Sequence, residues 1–259
     1  MENTYSWIET HAHLYSEEFD EDRVDVVARA SAVGVEKIYL PNLDAGSIPR
    51  LLATEKQFPQ VCVPMMGLHP CYVKENFEEE LVIIEGWLKQ RKFAAIGEIG
   101  MDLYWDTTFK DQQEKALQVQ LQWAIRYQLP VIIHCRNSIR ETIDIIKNQQ
   151  QNYSGIFHCF AGTLEEANEI IALGFSLGIG GVATFKNGGL DKILPHIDLQ
   201  HIVLETDCPY LAPIPYRGKR NEPVYLPLIA ERVAQLTNTS LENVSKITTA
   251  NAKNIFKDY

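Results

Sequence analysis

At 259 residues, 46% hydrophobic and 22% charged, the chain has an ordinary soluble composition and can bury a substantial core without staples. A formal charge of −10 argues against a generic nucleic-acid coater, which would be basic. It does not argue against an enzyme of phosphate esters whose carboxylates gather at a metal site. No apolar run approaches the roughly 20 residues that a membrane span needs, so no membrane association is expected. The first residues, Met1-Glu2-Asn3-Thr4, lack the basic and apolar regions of a signal peptide. Five cysteines (62, 71, 135, 159 and 208) are odd in number and show no Cys-x-x-Cys spacing. They read as reduced thiols of a cytoplasmic protein.

The first strand is read in Trp7-Ile8-Glu9-Thr10-His11-Ala12-His13-Leu14. Strand periodicity points His11 and His13 the same way. Two parallel imidazoles fill a core poorly and hold a divalent metal well, although an isolated His-x-His is common without one. Residues 24–32 have helical apolar spacing, with acidic positions 20–22 suited to the first turn and Gly34 at the end. Residues 37–42 read as strand two, 48–58 as a helix, and 61–70 as strand three with its exit. A helix is predicted over 77–90, with Leu81, Ile84 and Leu88 on one face, then strand four over 93–100. After a longer connection, 101–111, a helix runs from about 112 to 127.

Strand five covers 129–134 and its helix 138–148; strand six covers 155–158 and its helix 164–173. Strand seven covers 175–180, residues 188–194 form a short helix at best, and strand eight covers 202–207. The tail, 224–256, reads as two helices split by Asn238-Thr239-Ser240, with Ser240 as the cap. Eight short, mostly continuous apolar strands alternating with helices predict a (β/α)8 TIM barrel, one domain over residues 1–259. An open doubly wound sheet would want a glycine-rich phosphate loop after strand one, and residues 9–13 contain no glycine. No linker, repeat or low-complexity tract interrupts the pattern; Gln149-Gln150-Gln151-Asn152 reads as a loop.

The unusual polar residues fall at the C-terminal ends of the strands: His11, His13, His69, Glu98, His134, His158 and Asp207. His196 and His201 lie in a connection and are assigned nothing. In a barrel those ends converge on one mouth, where such enzymes keep their active sites. Imidazoles with carboxylates suit Zn²⁺, Mn²⁺ or Fe²⁺. Four histidines (11, 13, 134, 158) and two carboxylates exceed one tetrahedral site and suit two metals with one carboxylate bridging. Glu98, flanked by Gly97 and Gly100, is the bridge candidate, since small neighbours let the chain pass close to a crowded centre. Asp207 is read as ligand, general base or both. Each residue also has a structural alternative, such as a helix cap for Asp207 or a satisfied core position for His158. Cys135, Cys159 and Cys208 each follow a candidate ligand, and strand periodicity turns them toward packing positions.

The chain resembles the TatD family of metal-dependent deoxyribonucleases, within the amidohydrolase-like barrels. The resemblance runs nearly end to end and is carried by Thr10-His11-Ala12-His13-Leu14, Gly67-Leu68-His69-Pro70 and Gly97-Glu98-Ile99-Gly100-Met101-Asp102. It continues in Leu129-Pro130-Val131-Ile132-Ile133-His134-Cys135-Arg136 and Phe157-His158-Cys159-Phe160-Ala161-Gly162. Its last pieces are Leu204-Glu205-Thr206-Asp207-Cys208-Pro209-Tyr210-Leu211-Ala212-Pro213 and Arg217-Gly218-Lys219-Arg220-Asn221-Glu222-Pro223. The resemblance implies one metal on His11, His13, Glu98 and Asp207, and a second on Glu98, His134 and His158. It implies Mg²⁺- or Mn²⁺-dependent hydrolysis of DNA phosphodiesters, often 3′-to-5′ on single strands, with Zn²⁺ able to occupy the site. His69 matches a position near the mouth that contacts substrate, and Arg136 one beside the second metal. Two positions depart from the commonest pattern. Glu9 stands where the family usually has Asp, which would shift the surroundings of a ligand. Cys71 stands where another His is frequent, which removes an imidazole from that loop.

The expected chemistry is attack of an activated water on phosphorus, with Glu98 fixing the metal spacing and Asp207 orienting or deprotonating the water. His69, Arg136, Arg217 and Lys219 are the candidate substrate contacts. The run Tyr216-Arg217-Gly218-Lys219-Arg220 gathers cations in an acidic chain, as a strand backbone would require, or else is a solvated loop with Arg217 paired to Glu222. Tyr104, Trp105, Phe160, Tyr210 and Tyr216 are placed to stack bases or to wall the pocket. Single-stranded DNA is the expected substrate, and no obligate protein partner is evident. The same centre would also serve a small-molecule hydrolase of lactones, amides or phosphate esters, and a minor alternative is a barrel that binds without turnover.

Overall fold

Among the described residues, apolar runs of three to seven residues form eight strands, each too short to reach far beyond a buried layer. The computed structural model describes residues 5–257; the stretch Met1 to Thr4, read above for its lack of a leader, lies outside the described residues. In chain order the elements are β1 (Trp7–Glu9), α1 (Arg23–Ala32), β2 (Val35–Leu40), α2 (Ile48–Gln57), β3 (Cys62–Pro64) and α3 (Phe77–Gln90). Then come β4 (Ile96–Asp102), α4 (Lys110–Tyr127), β5 (Val131–Arg136), α5 (Ile139–Asn148), β6 (Gly155–Phe157) and α6 (Leu164–Ala172). β7 (Phe175–Ile179), β8 (Ile202–Leu204), α7 (Leu226–Leu236) and α8 (Leu241–Phe256) complete the order. Short 3₁₀ turns replace a helix between β7 and β8. The Ser240 hydroxyl accepts from Asn243 N at 3.1 Å and caps α8, as the sequence predicts.

The strands are parallel and lie in two sheets, ordered β1-β2-β3 and β4-β5-β6-β7-β8. One isolated bridge, Met66 with Ile96, runs between β3's exit and β4; another, Ala12 with Cys208, joins the segments after β1 and β8. Alternate strand positions serve two apolar clusters. Ile8, Tyr39, Val63, Ile132, Ile156 and Val203 pack with one another on one face. Their neighbours, among them Trp7, Ile38, Val131, Ile133, Phe157 and Leu204, pack against the helices. Two buried faces explain why the strands read as continuous apolar runs. Phe256 of α8 stacks on Tyr39 at 3.6 Å within the first cluster.

Several strands end earlier than the sequence suggests, and Glu9 supplies the reason at two of them. Its Oε1 accepts from His11 N at 3.1 Å and from Thr206 N at 2.9 Å. Those amides are thereby diverted from the sheet ladder just after β1 and β8. His11, His13 and Asp207 therefore sit past the strand ends, not within them. β4 and β5 instead run two residues farther than expected and carry Asp102 and Arg136, which pair in register.

Candidate metal centre

Glu98 enters from the middle of β4, where every residue is buried. The close approach expected of its glycine neighbours is real: a Cβ on Gly100, at φ +142°, would lie 1.9 Å from His134 O. Each Glu98 oxygen faces its own group of imidazoles. Oε2 lies 3.1 Å from His11 Nε2 and 3.6 Å from His13 Nε2. Oε1 lies 2.9 Å from His134 Nδ1, 2.8 Å from His158 Nε2 and 3.2 Å from His69 Nε2. Asp207 joins the first group, its Oδ1 3.7 Å from His11 Nε2 and 3.6 Å from His13 Nε2. His11 and His158 stack at 3.8 Å, so the two groups abut.

This donor set fits divalent cations. Ligands about 2.0–2.2 Å from one ion lie roughly 3–3.5 Å from each other, close to the separations found. Both nitrogens of His11 and Oε2 of Glu98 are buried without a hydrogen-bond partner. An unsatisfied buried polar atom costs about 1–3 kcal/mol, and a shared cation would remove that cost. Three residue groups are close enough to share an ion: His11, His13 and Glu98; His11, His158 and Asp207; and His69, Glu98 and His134.

Surrounding bonds decide which ring nitrogens are free. The Tyr15 hydroxyl donates to Pro41 O at 2.6 Å, so its oxygen accepts from His13 Nδ1 at 3.1 Å. His13 is thus protonated on Nδ1 and offers a bare Nε2 to the centre. Asp102 Oδ2 accepts from His134 Nε2 at 2.9 Å, which leaves His134 Nδ1 bare toward Glu98. His69 is the reverse case: its Nδ1 accepts from Cys71 N at 3.0 Å, so the neutral ring carries its proton on Nε2. Burial lowers the His69 pKa and favours that neutral form. The group containing His69 therefore has the spacing of a metal site but the wrong tautomer, and the His69 Nε2 proton is directed at Glu98 Oε1, 3.2 Å away.

Burial alone would push the carboxyls of Glu98 and Asp207 up. For Glu98 the imidazoles packed around it, His69, His158 and His11, outweigh it and hold the group well below its usual range. For Asp207 the His13 hydrogen bond, with charge on His158 and His11, does the same. Burial opposes charge on His134, but Asp102 and Glu98 raise its pKa. His158 is likewise raised well above normal by Glu98 and Glu205. Burial pushes Glu9 up to about 8 despite the amides of Thr206 and His11. Glu9 stands behind the centre and acts on His11 through its backbone amide.

Asp102 and Glu205 are the acids that sequence reasoning missed. Glu205 Oε1 accepts from Cys159 N and lies 3.6 Å from His158 Nδ1. Both are buried in the structure, and the signal the sequence offers is that each stands inside a motif of the family resemblance. The cysteines are not among the residues grouped for an ion. Burial raises the thiols of Cys62, Cys71 and Cys135 to about 12 and those of Cys159 and Cys208 well above normal. Cys135 and Cys159 do reach the cavity wall, a departure from the expectation that they turn to packing positions alone.

The centre lies at the floor of a cavity of about 1360 Å³, larger than the roughly 300–1,000 Å³ usual for small ligands. Arg136, Arg217 and Lys219 line it. Arg217 lies over the Phe185 ring at 4.5 Å. Glu222 pairs with Arg220 at 2.9 Å and with Arg29 at 2.8 Å, so the alternative pairing with Arg217 is not what forms. The aromatic candidates divide as well. Phe160 is core, and Tyr216 stacks on Tyr225 at 4.3 Å, while Tyr104, Trp105 and Tyr210 are exposed.

The family model described as TatD related DNase matches residues 8–257. A relative from Bacillus subtilis, the uncharacterized metal-dependent hydrolase YabD, is 38% identical over 251 residues, covering 96% of this chain and 98% of its own length. The 3′-5′ ssDNA/RNA exonuclease TatD of Salmonella typhimurium is 32% identical over 252 residues, covering 95% and 96%. Among solved structures, the TatD homologue YJJV of Escherichia coli superposes with a TM-score of 0.92 at 27% identity, covering 98% of both chains.

Proposed function

Because the chain belongs to the TatD-related DNase family of metal-dependent hydrolases, we propose that it cleaves DNA phosphodiester bonds. It acts as a 3′-to-5′ exonuclease on single strands, with two divalent ions, Mg²⁺ or Mn²⁺ for activity and Zn²⁺ also accepted. The observation that carries this reading is the division of Glu98, one oxygen toward His11 and His13 and the other toward His134 and His158. The strand polarity leans on the likeness to the Salmonella enzyme. The whole chain is one domain, and the two sheets form one closed barrel; the Met66–Ile96 and Ala12–Cys208 bridges support that closure.

His11, His13, Glu98 and Asp207 would hold one ion, and Glu98, His134 and His158 the other. Bound there, the ions would acidify a water and neutralise charge on the phosphate oxygens. Glu98 fixes the separation of the two ligand groups. Asp207 takes the proton of the attacking water; its position is set by its backbone N–H, which donates to His11 O at 2.9 Å. His69, whose ring lines the cavity beside Glu98, is the substrate contact nearest the centre. Arg136, Arg217 and Lys219 meet the flanking phosphates, and the cavity volume favours a chain substrate over a small one. A cytoplasmic location is in keeping with five free cysteines. Among the described residues no helix is long and apolar enough to cross a membrane.

The test is metal-stripped protein with end-labelled single-stranded DNA, resupplied with Mg²⁺, Mn²⁺ or Zn²⁺, beside Glu98→Ala. A metal-dependent ladder shortening from the 3′ end, lost in the variant, is expected. Folded protein that holds two ions and cuts no DNA would replace this reading with a small-molecule hydrolase of lactones or phosphate esters.

A further inference from the structure

In an acidic chain, arginines find carboxylates. Arg23, Arg29, Arg50, Arg91, Arg126, Arg140 and Arg220 all make ion pairs, and Arg232 donates to Ala183 O. Among the described residues, the Arg136 guanidinium, like that of Arg217, makes neither an ion pair nor a hydrogen bond. It lies instead over the Tyr104 ring at 3.8 Å and near the Trp105 ring at 5.0 Å. Stacking uses the face of a guanidinium and leaves its N–H edge free for a phosphate.

The two rings meet edge to face at 4.9 Å, and both stay exposed, Trp105 at 69% and Tyr104 at 51%. Exposure of two adjacent large rings beside a cavity is unfavourable unless something covers them. They are nonetheless held in place. Asp102 Oδ1 accepts from Tyr104 N at 2.9 Å and Trp105 N at 3.2 Å, while its Oδ2 holds His134. One carboxylate thus fixes the shelf relative to the centre.

We propose that Tyr104, Trp105 and Arg136 form a nucleotide subsite beside the metal centre, taking one unstacked base on the exposed indole and its phosphate on the guanidinium edge. The proposal rests on the nuclease reading and names what the site recognises: a single strand with a splayed base, not a duplex. Stacking on an aromatic ring is indifferent to base identity, so the subsite adds affinity without sequence preference.

The test is equilibrium binding of fluorescein-labelled, hydrolysis-resistant phosphorothioate oligothymidylate and its abasic analogue to the metal-loaded protein. Wild type should prefer the base-bearing strand roughly tenfold. Trp105→Ala should abolish that preference, and Trp105→Phe should keep most of it. Arg136→Gln should lower the slope of log affinity against log salt by about 0.7. An unchanged preference in Trp105→Ala, or an unchanged slope in Arg136→Gln, in a protein that still degrades DNA overturns the subsite and leaves the nuclease reading standing. A wild type that binds neither strand overturns both.

Discussion

Asp102 Oδ2 and His134 Nε2 lie 2.9 Å apart, and that bond fixes which nitrogen of His134 faces Glu98. A carboxylate behind a ligating imidazole sets its tautomer and raises its basicity. Asp102→Asn presents an amide that can meet the ring in either orientation, so His134 is no longer held with Nδ1 bare. The expected outcome is a 10- to 100-fold loss of affinity at the ion site of Glu98, His134 and His158, with the fold intact. Competition with a chromogenic chelator, alongside circular dichroism, measures both.

Tyr15 does the corresponding work for His13, and through a neutral hydroxyl. Tyr15→Phe removes the acceptor for His13 Nδ1 and the donor to Pro41 O at once. Leaving these buried groups unpaired should lower stability by about 1–3 kcal/mol, read as a shift in the urea midpoint at unchanged slope. Metal affinity should fall in parallel at the His11–His13 site. Unaltered metal affinity would show that the His13 tautomer is set elsewhere.

Removing the ions should destabilise the protein. A ligand that binds only the folded chain adds about 2.7 kcal/mol at one hundred times its Kd. Chelation should therefore lower the thermal midpoint by several degrees, and Glu98→Ala should shrink that difference, since its two oxygens face both ligand groups. A midpoint indifferent to chelator, in protein shown by elemental analysis to lose its ions, would argue against two occupied sites.

The ligand candidates were legible because strand ends in a parallel α/β fold collect polar residues that the apolar runs make conspicuous. What the ligands lean on was less legible. In Glu205-Thr206-Asp207, two acids sit two apart on a segment that has already left the strand. Which of them reaches the centre depends on Glu9, far away in sequence, taking the Thr206 amide. His69 shows the same limit. Its motif marks a place near the mouth, but its tautomer is fixed by Cys71 N–H, a bond of the turn and not of the pattern. The cations after β8 stand together in the sequence, and tertiary partners split them: Arg220 pairs with Asp22 and Glu222, while Arg217 and Lys219 line the cavity.

That split gives a paired prediction. Arg220 donates to Asp22 at 2.7 Å and 2.8 Å and to Glu222 at 2.9 Å, tying the loop to α1. The Arg220 hydrogen bond holds the Asp22 carboxyl below its usual range against the opposing push of desolvation. A carboxyl whose folded pKa is depressed stabilises fully above its unfolded value and loses that stabilisation as pH falls through the folded one. Asp22→Asn should therefore cost about 1 kcal/mol at about pH 7, and the difference from wild type should fade as the pH falls below the ordinary carboxylate range. Arg220→Gln should show the same stability loss and leave the salt dependence of DNA binding unchanged. Arg217→Gln should do the opposite, since its guanidinium only covers Phe185 and lines the cavity. It should leave the urea midpoint within about 0.5 kcal/mol and reduce the salt slope for single-stranded DNA by about 0.7. If both variants weaken DNA binding equally, Arg220 leaves its ion pairs to meet the strand, and the division of the loop into anchor and contact fails.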